Sequence, residues 1–239
     1  MNLAGQRVVI LGGTSGIGLA TAAAAAREGA DVVVVSSKDT SVERALSTLP
    51  AGAKGEAVDL TDAGQITAFF ERTGDFDHLV FTAGEPLALM TLDDLDIEAA
   101  REFFTLRYFG ALAAVSAAAS HIRPGGSIVL TTGIAADRPG AGWSVAASIC
   151  GAVRSMVRAM AVELAPLRVN AVSPGVVRSP LWSQMTDQER DDMYAQMAES
   201  LPVGRVGETA DIAQAYLFLL QQQFATGTIV TVDGGAVLV

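Results

Sequence analysis

The feature that most constrains this chain is an alternation. Short runs rich in valine, isoleucine and leucine take turns with longer alanine-rich stretches. The short runs span 7–11, 31–35, 55–58, 78–81, 127–130, 168–172 and 228–232. Each is too brief for a typical helix, and most are apolar on both faces, as strands of a buried parallel sheet must be. Helical periodicity marks the segments 17–27, 42–49, 63–72, 97–122, 145–164 and 209–220. Strand–helix alternation predicts right-handed βαβ units, hence an α/β fold with a doubly wound parallel sheet of seven strands and helices on both faces. Breakers sit at the junctions: Gly29 after the first helix, Pro124-Gly125-Gly126 ahead of the fifth strand, Pro174-Gly175 after the sixth. With no repeat, linker or low-complexity tail, residues 1–239 are expected to form one domain.

Bulk properties narrow the function classes. A formal charge of −10 argues against nucleic acid or an anionic membrane as partner, because phosphate-rich surfaces want a basic face. The one cysteine, Cys150, cannot form an internal disulfide, which suits a reducing compartment. No uninterrupted apolar run reaches the ~18 residues of a membrane span, and residues 1–7 lack a signal-peptide pattern. The expectation is a cytoplasmic protein with no membrane partner. No metal site is expected.

The first strand ends in Gly12-Gly13-Thr14-Ser15-Gly16-Ile17-Gly18 and runs directly into an alanine-rich helix. Glycines there let the backbone turn sharply and approach a pyrophosphate, which then rests on the positive helix end. Strand before, helix after and a position inside the first βαβ unit make this a dinucleotide-binding pattern of the Rossmann type. A carboxylate at the end of the second strand would favour NAD(H), since it takes the ribose 2′-hydroxyl. The chain instead reads Ser36-Ser37-Lys38, two hydroxyls and an ammonium that suit a 2′-phosphate and so favour NADP(H) over NAD(H). Asp39, one step on, is expected to cap the next helix. The segment 180–206 breaks the rhythm, with Leu181, Trp182, Met185, Met193, Tyr194 and Met197 among polar residues. Two readings stand: a helical pair covering the core, or a lid over a mostly apolar small-molecule substrate, the latter favoured by its place after the sixth strand.

On these motifs the chain resembles the short-chain dehydrogenase/reductase family over nearly its whole length. The glycine loop is similar to that family's TGxxxGIG, with Leu11 at the usual threonine. Asp59-Leu60-Thr61-Asp62 resembles the segment that meets the adenine, which implies cofactor roles for Asp59 and Leu60. Thr82-Ala83-Gly84 resembles the end of the NNAG motif, implying that Ala83 and Gly84 face the cofactor. Pro174-Gly175-Val176-Val177-Arg178-Ser179 resembles the loop holding the nicotinamide amide, with Pro174, Gly175, Val177 and Ser179 the implied contacts. Asn170 and Val232-Asp233-Gly234-Gly235 fall in further close matches. The resemblance also implies a homotetramer or homodimer, in keeping with the apolar tail Ala236-Val237-Leu238-Val239.

That family's chemistry rests on a Tyr-x-x-x-Lys pair, a serine about 13 residues earlier and an asparagine on the preceding long helix. Its tyrosine is a general acid/base whose pKa the lysine and the cofactor charge lower. Counting back from Ala159-Met160-Ala161-Val162-Glu163-Leu164-Ala165 puts Cys150 at the lysine, Ala146 at the tyrosine and Gly133 at the serine; Arg107 stands at the asparagine. No Tyr-x-x-x-Lys occurs anywhere, since the lysines are Lys38 and Lys54 and the tyrosines Tyr108, Tyr194 and Tyr216. Trp143, at the wider spacing of enoyl reductases, is no proton donor at neutral pH. Cys150 reads as a small buried hydrophobe on a stripe with Val153 and Val157. His78 and His121 read as solvated residues at element ends, and Asp137-Arg138 as a surface ion pair. Thr131, Thr132 and Ser148 could polarise a carbonyl, although strand-end threonines are common for packing alone. Arg107 has two readings, a site for an acidic substrate or a structural cation filling the vacated space.

Two functions follow. One is an NADP(H)-dependent oxidoreductase with a non-standard site, acting on a small apolar imine, activated alkene or carbonyl. The other is a catalytically dead relative serving as a dinucleotide sensor or structural subunit. Substrate and reaction direction lie beyond the sequence.

Overall fold

The structure, a computed structural model, describes residues 2–87 and 89–239. Seven parallel strands form the main sheet: β1 (Arg7–Leu11), β2 (Asp31–Ser36), β3 (Lys54–Ala57), β4 (Phe76–Phe81), β5 (Ile122–Thr131), β6 (Arg168–Pro174) and, after a two-strand excursion, β9 (Ile229–Val232). Their spatial order is β3-β2-β1-β4-β5-β6-β9, so the chain reverses direction across the sheet between β1 and β4. The short β7 (Val177–Arg178) and β8 (Gly207–Glu208) pair only with each other.

Strand geometry sends alternate side chains to opposite faces, and the valine-rich runs supply apolar groups to both. Val9 and Leu11 of β1 face a layer made by α3 (Ala63–Thr73), α4 (Ile97–Phe104), α5 (Ala111–Ala118) and α6 (Ser144–Glu163). Val8 and Ile10 face the other layer, α1 (Gly16–Arg27), α2 (Asp39–Leu46) and α8 (Thr209–Gln221). Two helical stretches, Ile97–His121 and Ser144–Glu163, are long and apolar enough to cross a membrane by length and composition. Both lie against the sheet and bury Phe103, Ala114, Val115, Ile149, Val153 and Val157 in its core.

Several expectations are corrected here. Helix 97–121 is continuous but not uniform: Thr105–Gly110 winds as a π-helix between α4 and α5. Such local widening re-aims side chains and is common at functional sites; Arg107 sits in its middle. Pro124-Gly125-Gly126 does not precede β5 but lies within it, where the β4–β5 register shifts between Phe76 and His78. A bulge absorbs the residues that cannot join a regular ladder. The segment 180–206 is not a pair of helices. It comprises a 3-10 turn (Pro180–Trp182) and one helix, α7 (Asp187–Ser200), started by a Thr186/Glu189 capping box.

Candidate functional site

The C-terminal ends of β1 and β4 open a crevice where the strand order reverses, the place at which open α/β sheets bind ligands. Three glycines make that crevice possible. Gly12 adopts φ +84, and a Cβ on it would stand 2.5 Å from the Ala83 nitrogen. One on Gly13 would lie 2.8 Å from the Ile10 carbonyl, and one on Gly18 would strike the Gly12 carbonyl and the Thr82 hydroxyl. Thr82 Oγ1 donates to the carbonyls of Leu11 at 3.1 Å and Gly12 at 3.2 Å, tying the loop to the end of β4. Ser15 takes the N-cap position of α1 without a side-chain capping bond. The first-turn N–H groups and the positive helix end therefore remain for an anion. Thr14 is buried, and Ile17 packs partly into the core below. Gly16, at φ +52, lies beneath Pro180, whose Cδ would be 3.2 Å from its Cβ. The segment from Pro174 through Gly175, Val177 and Ser179 thus reaches the phosphate loop, anchored by Gly175 against Asp233. A close-walled backbone cradle at an uncapped helix start fits the pyrophosphate of a dinucleotide.

At the end of β2, Ser36 is half-buried while Ser37 and Lys38 are exposed. Asp39 does not cap α2 as expected. Lys38 occupies the N-cap without a capping bond and Asp39 is the first helical residue, where its charge still complements the helix dipole. The Asp59 carboxylate accepts from Thr61 N at 2.9 Å and Thr61 Oγ1 at 2.7 Å, which shapes the turn after β3, and Leu60 is buried behind it.

On the far side of β4 the structure brings together Gly84, Glu85, Arg107, Gly133 and Cys150. The Arg107 guanidinium lies over the Phe103 ring at 4.5 Å and donates to the Glu85 carbonyl. Its Nε stands 3.5 Å from Glu85 Oε2, and neither of those two buried atoms has a hydrogen-bond partner. Burial pulls the Arg107 pKa down, opposed by the charges of Glu85 and Cys150. Burial likewise pushes the Cys150 thiol up, against a hydrogen bond with Thr132 and the nearby Arg107 and Arg154. A Cβ on Gly133 would lie 3.2 Å from Cys150 Sγ. Ala146 is buried one helical turn earlier.

The nearby hydroxyls are engaged in structural bonds. Thr131 Oγ1 meets the Phe81 carbonyl and the Tyr216 hydroxyl, each at 2.6 Å. Thr132 Oγ1 donates to the Cys150 carbonyl at 2.9 Å, and Ser148 points outward and donates to Ser144 O. Tyr216 is fully buried, which drives its pKa upward. Tyr108 stacks edgewise with Phe104 and Phe109, and Tyr194 lies under Arg178 in the segment above.

Two sequence expectations about charged groups are wrong. Asp137 pairs with Arg154 on α6, not with Arg138, which reaches the Ala236 carbonyl at 3.0 Å instead. Arg154 also donates to Ser173 Oγ at 3.0 Å, so it clamps the loop after β5 to β6. A position four residues after Cys150 on a helix was the available signal; pairing across the loop was not readable. His78 is buried rather than solvated, bonded to Ser127 Oγ at 2.9 Å and Gln6 Oε1 at 3.2 Å, and burial pushes its pKa down to about 4. Glu85 was also missed, although it directly follows Thr82-Ala83-Gly84. No group of three or more metal-ligating side chains occurs among the described residues.

Above the crevice, Trp182, Tyr194, Leu201 and Val206 form a separate apolar cluster. Leu87, Ile134 and Trp143 pack against it from below, and Leu87 N donates to the Leu181 carbonyl at 2.9 Å. The segment 180–206 therefore packs through apolar side chains against Leu87, Ile134 and Trp143.

Comparison with known proteins agrees with this geometry. The family model described as enoyl-(acyl carrier protein) reductase matches residues 12–237. The short-chain dehydrogenase/reductase fsr5 of Gibberella fujikuroi is 32% identical over 254 residues, covering 99% of this chain and 96% of that protein. A small-chain dehydrogenase solved in complex with NADPH is 35% identical with a TM-score of 0.86, over 98% of this chain and 99% of that one. The solved MalC reductase/Diels-Alderase from Malbranchea aurantiaca is 29% identical with a TM-score of 0.92, over 99% and 98%.

Proposed function

Given that the chain belongs to the short-chain dehydrogenase/reductase family, we propose that it is an NADP(H)-dependent reductase with a non-standard site, acting on a small, mostly apolar substrate. The observation that carries this reading is an intact pyrophosphate cradle on the same side of the sheet as an apolar cluster formed by Trp182, Tyr194, Leu201 and Val206. Gly12, Gly13, Thr14, Gly16 and Gly18 with the start of α1 would hold the pyrophosphate, and Ser36, Ser37 and Lys38 the 2′-phosphate. The bound nicotinamide would supply hydride, which needs chiefly proximity and orientation.

What the chain itself contributes is positioning and an apolar wall beside the site. Trp143, Leu87, Leu181 and Trp182 lower the local polarity over the site. A substrate that is already cationic, such as an iminium ion, needs no proton from the protein, and an activated alkene or carbonyl can take one from water. The name of the MalC neighbour includes a reductase activity, which supports the reductive direction. We also propose a homodimer or homotetramer, because Phe109, Leu112, Phe218, Phe224 and Leu238 leave large apolar groups on the surface.

One observation favours a second reading, a dinucleotide-responsive subunit without turnover. Thr131, Thr132 and Ser148 all spend their hydroxyls on structural bonds. The test is titration of NADPH and NADH by fluorescence, followed by oxidation of NADPH with a panel of imines, enones, aldehydes and ketones. Turnover that disappears in a Gly16→Trp variant establishes the reductase. Tight NADPH binding without turnover on any class establishes the subunit reading, and absence of binding removes both.

A further inference from the structure

The sheet order gives a bound dinucleotide a direction. If Ser36–Lys38 at the end of β2 takes the phosphorylated adenosine and the Gly12–Gly18 loop after β1 takes the pyrophosphate, the second half can only run onward over β4 toward β5. That path is continuous in the structure: Gly12 touches Ala83, and the next residue, Gly84, touches the Arg107 guanidinium.

Arg107 is not accounted for by its own contacts. A guanidinium carries five N–H donors, yet among the described residues its one hydrogen bond goes to the Glu85 carbonyl. It pairs electrostatically with Glu85, but the Nε and Oε2 atoms do not close to a hydrogen bond. They stand 3.5 Å apart, and each is buried without a hydrogen-bond partner. Nε is thus a buried donor left unspent, which is costly, and the Nη groups keep further donors with no partner among the described residues. Phe103 covers one face of the guanidinium plane, so the free donors act at its edge, beside Gly84. Gly84 itself does not need to be glycine for its backbone. A Cβ there would lie 2.6 Å from Arg107 Nη1 and 2.8 Å from Cζ, so the small residue keeps room for the guanidinium.

We infer that Arg107 holds the nicotinamide-riboside half of the dinucleotide, its free N–H groups donating to the ribose hydroxyl oxygens. The inference rests on the dinucleotide reading above. It makes Arg107 a cofactor-binding residue, not a filler of vacated space and not a receptor for an acidic substrate.

The test compares two ligands that share the phosphorylated adenosine but differ in the second half. NADPH has the nicotinamide riboside; 2′,5′-ADP lacks it. Calorimetric Kd values are measured for the wild type, Arg107→Leu, Arg107→Lys and Gly84→Ala, with thermal melting of each apo protein. Arg107→Leu is expected to weaken NADPH by about tenfold or more, the worth of one charge-assisted hydrogen bond, and to leave 2′,5′-ADP within about twofold. Arg107→Lys should fall between, and Gly84→Ala should weaken NADPH selectively by displacing a guanidinium that is still present. Should Arg107→Leu fail to fold, the glycine variant decides. Unchanged NADPH affinity, or equal weakening of both ligands, overturns the inference. A wild type that binds 2′,5′-ADP as tightly as NADPH also overturns it while sparing the dinucleotide pocket, whereas a wild type that binds neither removes the underlying reading too.

Discussion

The close approach of the phosphate loop to the segment after β4 can be tested with a pair of alanine substitutions. Gly12 has φ +84 and its added Cβ would stand 2.5 Å from Ala83 N and 2.6 Å from Ala83 Cα, both backbone atoms that cannot rotate away. Gly5 has a similar φ of +75, but a Cβ there meets nothing within 4 Å. Both variants bear the left-handed penalty of ~1–2 kcal/mol, partly offset by a stiffer unfolded chain worth about 0.4–1 kcal/mol. Gly12→Ala alone must also push two backbone segments apart, an overpacking cost of ~1–3 kcal/mol. Taking the middle of each range, Gly5→Ala should lose about 0.8 kcal/mol, and Gly12→Ala about 2.8 kcal/mol. In a domain of this size that is a fall of roughly 5–10 °C in Tm for Gly12→Ala. Urea unfolding of both variants reads the difference directly, and fluorescence titration should show NADPH binding lost in Gly12→Ala and kept in Gly5→Ala. Equal destabilisation by the two substitutions would refute the close-approach argument, leaving backbone conformation as the only demand at Gly12.

Other consequences concern charge. Lys38→Glu should weaken NADPH by at least about tenfold through loss of a charge-assisted contact while sparing NADH; parallel changes for both would remove Lys38 from the 2′-phosphate site. His78, with its folded pKa pushed down to about 4 against an unfolded value near 6.5, contributes full stability above pH 6.5. That contribution is lost as pH falls toward 4, amounting to ~3 kcal/mol; His78→Gln should flatten the stability profile over this window, and superimposable profiles would contradict the burial argument. Arg154→Met removes the bonds to Asp137 and Ser173 and should cost about 1–3 kcal/mol in denaturant unfolding. The Asp137 carboxyl, held below its ordinary value by the Arg154 hydrogen bond, should titrate higher in that variant by NMR; an unmoved titration would show that the pair does not persist in solution.

What could be read from the sequence was local in origin. Valine-rich runs of strand length and alanine-rich stretches of helical period arise from neighbours along the chain, and they placed all seven strands of the main sheet. The glycine loop was legible for the same reason: its glycines, the strand before it and the helix after it are contiguous. Even Arg107 was visible as an oddity at its place on the long helix. Tertiary structure decided everything that depends on distant partners. His78 lies at a strand position that looked like an element end, but its burial comes from Ser127 on β5 and Gln6 before β1. Asp137 stood next to an arginine in sequence and yet found another, Arg154, because a helix packed across the loop brought it closer. The π-helical turn that aims Arg107, the bulge inside β5 and the meeting of Gly84 with the guanidinium likewise depend on packing between elements far apart in the chain. Periodicity along the chain determines which elements form and which face they bury; only closure of the fold determines which polar groups are left beside the crevice with donors to spare.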